Sequence, residues 1–169
     1  LNNSPYVEQI VGSVVELQHR LVAYDFSRMG ETDIFGRLLA QLANKEHRLM
    51  LGQEFTPHWV AQDIVEYNMD LLAGNSPRIV DMCCGSGVFL IESIKAVRRQ
   101  YDIVPERYSM EKDDIVFSCI MGFDIDPLAV MLAKVNWVMA MRDLFSVHHG
   151  DIIVPIYHAD SLFVATPIT

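Results

Sequence analysis

Hydrophobic side chains recur at intervals of three and four residues along several stretches of the chain, which is the spacing of an amphipathic helix. Residues 5–23 form the first such stretch, with Ser4 and Pro5 suited to the cap and the first helical position. A second stretch covers residues 32–45, after a break at Gly30. We predict that both are packing elements of an N-terminal helical segment over residues 1–50.

Beyond residue 50, short apolar runs alternate with helical patterns. The runs are rich in β-branched residues and predict buried strands at 79–84, 115–123 and 152–159. Helical spacing occupies the intervening and flanking residues, at 57–74, 87–101 and 127–145. Strands that alternate with helices are typical of a parallel sheet. We therefore predict an α/β domain over residues 51–169, with residues 102–114 as a charged surface excursion.

A glycine turn joins the first strand to its helix, in the run RIVDMCCGSGVFLIES over residues 78–93. Open α/β sheets bind ligands at this position, outside the carboxyl ends of their strands. The turn Gly85-Ser86-Gly87 lacks the third glycine of a dinucleotide fingerprint, because Val88, Phe89 and Leu90 follow it. It also lacks the lysine of a phosphate-binding P-loop. The turn alone would serve many nucleotides.

Acidic residues follow the strands. Asp81 lies near the end of the first, and Asp124 lies at the end of the second, where an acid accepts hydrogen bonds from a ribose. Asp124 comes 43 positions after Asp81, more than the usual spacing of roughly 20 residues, and the 102–114 excursion accounts for most of the excess. Ile125 could lie flat against an adenine ring. Asp126, before Pro127, is instead a helix N-cap.

Composition restricts the partners and the compartment. The net charge of −9 argues against a self-sufficient nucleic-acid surface, which would be basic. The cysteines at 83, 84 and 119 lie in apolar runs, which indicates core packing and fits a reducing cytoplasm. No apolar run approaches the roughly 18 residues of a membrane span. His148 and His149 form a surface loop without further ligands, so we expect no metal site.

The glycine run resembles the D-P-x-C-G-S-G-x-F-L motif of adenine-N6 DNA methyltransferases, which bind S-adenosylmethionine (SAM). Met82 stands where that family usually has proline, and the other defined positions match: Asp81, Cys84, Gly85, Ser86, Gly87, Phe89 and Leu90. Residues 52–57 are similar to motif X of the same enzymes, a loop that folds over the methionine end of the cofactor. Thr56 and Pro57 are equally well explained as the start of a helix.

Two further motifs follow in the family's order. Asp124 matches the acid of motif II, and Asp160-Ser161-Leu162 matches motif III, whose carboxylate accepts a hydrogen bond from the adenine amine of SAM. Asp160 could alternatively cap a turn. The resemblance covers about residues 50–165 and implies a partial Rossmann-like fold of three parallel strands with flanking helices. We predict a cofactor site from the residues that the resemblance implies and from their neighbours Cys83 and Ile125. The full set is Phe55, Thr56, Pro57, Asp81, Cys83, Gly85, Ser86, Gly87, Phe89, Asp124, Ile125, Asp160, Ser161 and Leu162.

The resemblance also implies a reaction. In this family a target adenine is flipped from DNA, and its amine attacks the methyl group of SAM. An Asn/Asp-Pro-Pro-Tyr/Phe loop holds the amine in position. The prolines of this chain are never adjacent, so we expect the catalytic motif to be absent and the chain alone to be inactive. Since Leu1 is not methionine, we expect a longer parent protein. The resemblance implies that it belongs to a restriction–modification system and that its other parts contact DNA.

The fourth strand of the family pairs beside the first, so we expect strand 79–84 to have an open edge that permits self-association. Three other functions remain open at this point. They are a SAM-dependent methyltransferase that acts on RNA or on a protein glutamine, a NAD-binding oxidoreductase, and a regulatory domain that only senses SAM.

Overall fold

The computed structural model describes residues 5–23, 35–36, 55–71, 77–103, 118–146 and 151–163. The elements, in chain order, are helix α1 (Pro5–Leu21), helix α2 (His58–Leu71), strand β1 (Ile79–Asp81), helix α3 (Val88–Ile103), strand β2 (Ile120–Asp124), helix α4 (Pro127–Met141), a 3₁₀ turn (Leu144–Ser146) and strand β3 (Ile156–His158). The predicted α/β class and the alternation of strands with helices are confirmed. Most of the predicted helix 32–45, most of the 102–114 excursion and the loop 148–150 lie outside the described residues.

The strands form one parallel sheet in the order β1-β2-β3. Helices α3 and α4 connect successive strands, and a parallel crossover is almost always right-handed. Because both crossovers move in the same direction across the sheet, α3 and α4 lie on one face and contact each other. The partial Rossmann-like fold expected from the sequence is therefore present.

Each strand is shorter than predicted. β1 ends at Asp81 rather than Cys84, because the chain turns at Met82 and Cys83, although the N–H of Cys84 still donates to the Phe123 carbonyl at 2.8 Å. The described part of the second predicted strand begins at Ile120, since Ser118 and Cys119 are helical. β3 begins only at Ile156, because the preceding Pro155 has no N–H to donate to a ladder.

The helices cover one face of the sheet closely. Ile120, Gly122 and Ile156 alternate along the strands on this face and are buried. A Cβ atom built on Gly122 would lie 2.8 Å from Leu90 Cδ1 and 3.2 Å from Cys84 Sγ, so no larger residue fits there without movement. The core beneath the helices is continuous, and it comprises Met69, Cys84, Leu90, Ile94, Ala96, Val97, Cys119, Ile120, Val130, Ala133, Trp137, Met141, Leu144 and Ile156.

Among the described residues, the opposite face and the outer edge of the sheet are left uncovered. The strand register places Val80, Met121, Phe123 and Tyr157 on this second face, and Val80 is 53% exposed. In the described part of the chain, β1 pairs with β2 alone. A cleft of about 350 Å³ runs along the free edge, lined by side chains of α2, β1 and α3 that include Ile64, Val65, Met69, Val80, Met82 and Phe89.

We expect this chain to self-associate in solution. A parallel sheet normally has both faces covered, and an exposed strand edge offers unpaired N–H and C=O groups to another chain. Light scattering over a concentration series should show dimers or larger species, and Val80→Lys should shift the distribution toward the monomer. Val7→Lys, which places the same charge on exposed α1, is the control. A stable monomer at high concentration would contradict the expectation.

Helix α1 does not pack as the sequence predicted. Every residue of the helix whose side chain is described, from Tyr6 to Leu21, is exposed, including the apolar positions at intervals of three and four. Local contacts remain, such as the ion pair at 2.6 Å between Arg20 and Glu16. The spacing of apolar residues shows that a helix has an apolar face, but it does not show whether that face packs against another element. None of the described helices is long and apolar enough to cross a membrane.

Candidate cofactor site

The glycine turn gives the site its shape. Gly85 and Gly87 have φ angles of +53° and +92°, in the left-handed region that residues with a Cβ rarely adopt. Gly87 also lies against α4, since a Cβ built there would be 3.3 Å from the Cβ of Ala133. The sequence prediction of a tight turn that brings the backbone close to a ligand is consistent with both conformations.

A buried amide on α4 fixes the turn. Asn136 Nδ2 donates to the carbonyl of Ser86 at 2.8 Å, and both residues are buried. The sequence analysis did not select Asn136. The sequence feature that could have indicated it is a single amide side chain in the mainly apolar helix PLAVMLAKVNWVMAM, since a buried polar side chain requires a partner.

Asp124 ties the end of β2 to the glycine turn. Its Oδ2 accepts from the N–H of Gly85 at 2.7 Å, and its Oδ1 accepts from the N–H of Asp126 at 2.9 Å. Each carboxylate oxygen can accept more than one hydrogen bond, so both retain capacity for a ligand hydroxyl. Asp126 is the N-cap of α4, as the sequence predicted, and accepts from the Leu128 N–H.

Asp81 has an unused acceptor inside the site. Its Oδ1 accepts from the Cys83 N–H at 3.1 Å, whereas the buried Oδ2 has no hydrogen-bond partner in the part of the chain that the structure describes. Burial raises the pKa of this carboxyl, the Cys83 N–H opposes that shift, and the negative charge of Asp124 adds to it. A buried acceptor without a donor is costly, and a cationic donor would relieve both the burial and the repulsion.

The end of β3 joins the same edge. The Ala159 N–H donates to the Asp124 carbonyl at 3.0 Å, and Ser161 Oγ lies 3.9 Å from Cys83 Sγ. Asp160 Oδ1 accepts from the Leu162 N–H at 3.0 Å, so this residue does cap a turn, and its half-buried carboxylate keeps further acceptor capacity. The side chains of Ile125 and Leu162 are exposed beside it.

The cysteines divide into two kinds. Cys84 and Cys119 are buried as predicted, and burial raises the pKa of each thiol to about 12, which keeps it protonated. Cys83 is exposed, contrary to the prediction of core packing. The reason is its place in the turn after β1, where the chain has left the sheet.

The motif X segment precedes α2. Phe55 and Thr56 are half-buried and Pro57 is exposed, and the Pro57 carbonyl accepts from the N–H groups of Val60 and Ala61. The helix begins at His58, one residue later than the sequence suggested. Phe89, in the first turn of α3, is half-buried and lines the cleft beside β1.

Asp81→Asn should stabilise the fold at neutral pH. The raised pKa of Asp81 means that the folded state holds the proton more tightly than the unfolded chain, whose value is about 3.9. Ionisation therefore destabilises the fold above the folded pKa, and this penalty is absent below about pH 3.9. The variant should raise the urea midpoint at pH 7 and raise it less at pH 4. Asp70→Asn, on an exposed position of α2, should change neither midpoint; an equal gain from both variants would contradict the reasoning.

Taken together, the parallel sheet, the glycine turn after β1 and the acids at the strand ends define an α/β domain of the Rossmann-like class. The sequence matches a known family over most of its length. The chain belongs to the N-6 DNA methylase family, because the sequence model of that family matches residues 29–165.

A curated relative agrees with this assignment. The chain is 32% identical over 87 residues to a protein of Methanocaldococcus jannaschii that is named, provisionally, as a type II restriction enzyme and methyltransferase. The match covers 46% of this chain and 7% of that protein. The chain thus spans a small part of the length of this relative.

Proposed function

We propose that this chain is the SAM-binding half, over residues 51–169, of a site-specific DNA adenine-N6 methyltransferase from a restriction–modification system. Membership of the N-6 DNA methylase family supports the reaction class. The observation that carries the cofactor assignment is the buried Oδ2 of Asp81 beside the glycine turn, which has no hydrogen-bond partner among the described residues. SAM has a cationic methionine end and no phosphate, so an acidic site without a phosphate-binding lysine suits it.

Each part of the cofactor has a candidate partner. Asp81 and the Gly85–Gly87 turn would hold the methionine end, which the Phe55–Pro57 segment would cover, and Asp124 would accept from the ribose hydroxyls. Asp160 would accept from the adenine amine, with Ile125 and Leu162 against the ring. Cys83, Ser86, Phe89 and Ser161 would line or support the same site. When bound, SAM supplies an electrophilic methyl group, and these residues bind it and orient it.

DNA is the proposed substrate, but we do not expect the residues of this chain to bind DNA by themselves. The net charge of −9 repels phosphates, and no two prolines are adjacent, so the loop that holds the adenine amine in this family is not in the sequence. Contacts with DNA and the positioning of the base would come from other parts of a longer protein.

We therefore expect residues 1–169 to bind SAM without transferring its methyl group to DNA. Positioning the nucleophile in line accounts for a large part of the rate of such a reaction. Incubation with tritiated SAM and plasmid DNA should leave the DNA unlabelled, while an intact adenine methyltransferase labels it in parallel. Sequence-specific labelling by this chain alone would mean that it contains a catalytic loop of another form.

Calorimetry tests the cofactor proposal directly. We expect titration with SAM and with its demethylated product, S-adenosylhomocysteine, to show binding at one site, since both carry the amino acid, the ribose and the adenine. Titration with NADH should give no heat of binding. Binding of NADH in preference to SAM would replace the proposal with a nicotinamide-dependent function.

A further inference from the structure

Helix α3 carries a buried carboxylate that is not among the residues assigned to the cofactor so far. Glu92 is 3% exposed, within a helix whose buried residues are otherwise apolar or small. Charged residues are almost never buried this fully unless they are paired. Two nitrogen atoms lie close to its Oε1, His58 Nε2 at 2.7 Å and Lys95 Nζ at 2.8 Å, and Lys95 Nζ also lies 3.2 Å from His58 Nε2.

The two partners are not equivalent. Lys95 lies on the same helix, three residues away, and such pairs form within any helix. His58 comes from another element, because it is the first residue of α2. It also directly follows Phe55, Thr56 and Pro57, the segment that resembles motif X. The Glu92–His58 contact therefore fastens the start of α2 to α3.

A second ion pair shows which ends of the two helices meet. Arg99 Nη1 lies 2.8 Å from Glu66 Oε1, so residues 58 and 66 of α2 face residues 92 and 99 of α3 in the same order. The helices thus run in the same direction, and their N-termini lie at the same end. At a rise of about 1.5 Å per residue, Glu92 is only about 7.5 Å along α3 from Gly87. The segment 55–57 consequently lies toward the glycine turn.

We propose that Glu92 is a positioning residue for the cofactor: its carboxylate, through His58, holds the Phe55–Pro57 segment beside the glycine turn and so sets the affinity for SAM. This inference rests on the proposed function. In this proposal Glu92 acts through His58 and not through a contact with the cofactor. If its loss leaves the segment in place only about one-tenth of the time, the apparent affinity falls about tenfold, because only the competent fraction binds.

The chain provides a matched control for this proposal. The Glu66–Arg99 pair joins the same two helices, but at the end remote from the glycine turn, and both side chains are about half exposed. Glu66→Gln loosens the helix pair without touching the start of α2. Glu92→Gln removes the negative charge from the proposed contact, His58→Ala removes the other partner, and His58→Gln keeps a side-chain N–H donor at position 58.

The experiment measures SAM and S-adenosylhomocysteine affinity of the 169-residue chain by calorimetry, with hydrogen exchange at the amides of Val60 and Ala61, which bond to the Pro57 carbonyl. Glu92→Gln and His58→Ala should each bind about tenfold more weakly, and both amides should exchange faster in each variant. The double variant should bind no more weakly than either single variant. His58→Gln should recover most of the affinity, and Glu66→Gln should match the unsubstituted chain.

Each contrary result is distinct. Unchanged affinity in Glu92→Gln and His58→Ala, or an equal loss in Glu66→Gln, would overturn the positioning role. If Glu92→Gln does not fold, His58→Ala decides, since the His58 side chain is 37% exposed and tolerates removal. If the unsubstituted chain binds neither ligand, the proposed function itself fails and the positioning role fails with it.

Discussion

Replacing Asp124 with alanine is expected to weaken SAM binding by about ten- to hundredfold. Hydrogen bonds to a charged group contribute roughly 1.5–3 kcal/mol, and each 1.4 kcal/mol is about a factor of ten in affinity. The carboxylate also accepts from the N–H groups of Gly85 and Asp126, so its loss leaves two backbone donors without their partner. We therefore expect the free energy of unfolding to fall as well, by about 1–3 kcal/mol.

The two effects of Asp124→Ala can be separated with Asp126→Ala. Asp126 caps α4 two residues away, and losing a cap costs roughly 0.5–2 kcal/mol of stability. That variant should be destabilised to a similar degree and yet bind SAM normally in calorimetry at a temperature where both are folded. Normal binding by Asp124→Ala would refute the ribose assignment. Equal weakening by Asp126→Ala would attribute the loss to the shape of the turn.

Gly122→Ala is expected to lower the free energy of unfolding by about 1–3 kcal/mol, the usual cost of overpacking a well-packed core. The added Cβ would meet Leu90 Cδ1 at 2.8 Å and two atoms of Cys84 at 3.2 and 3.3 Å. Leu90 is 1% exposed, so moving its side chain would disturb the surrounding core. The shift would also press on Cys84, which directly precedes the glycine turn, so SAM affinity should fall with stability.

Gly12→Ala is the matched control for Gly122→Ala. The same methyl group is added in the middle of α1, where nothing lies within 4 Å of the new atom. Alanine is favoured over glycine in a helix interior by up to about 1 kcal/mol, so helix content by circular dichroism should stay or rise. Urea midpoints that move equally for both variants would show that the contact at Gly122 is not the cause.

Local patterns were sufficient for the order of elements. Apolar runs with β-branched residues marked β1, β2 and β3, and the glycine turn was visible because its two glycines are needed for positive φ. The strand ends were placed less well, because β1 stops at Asp81 while the apolar run continues to Cys84. A run of hydrophobic residues reports burial, and burial continues past the last ladder hydrogen bond.

The candidate site was predictable only in part. Asp81, Asp124 and Asp160 were selected because each lies at or just beyond the end of a strand, and parallel strands end at one edge of a sheet. The partners of these residues were not predictable. That Gly85 donates to Asp124, and that Asn136 donates to Ser86, depends on residues 39 and 50 positions apart in sequence.

The sequence by itself determined the alternation of strands and helices, the glycine turn and the acids at the strand ends, because each depends on neighbouring residues. Only the tertiary structure decided that Asp81 has an acceptor with no donor among the described residues, that the apolar face of α1 is exposed, and that Glu92 contacts His58. These features depend on which elements pack together and on how much water they exclude. A pattern of residue types along the chain records neither quantity.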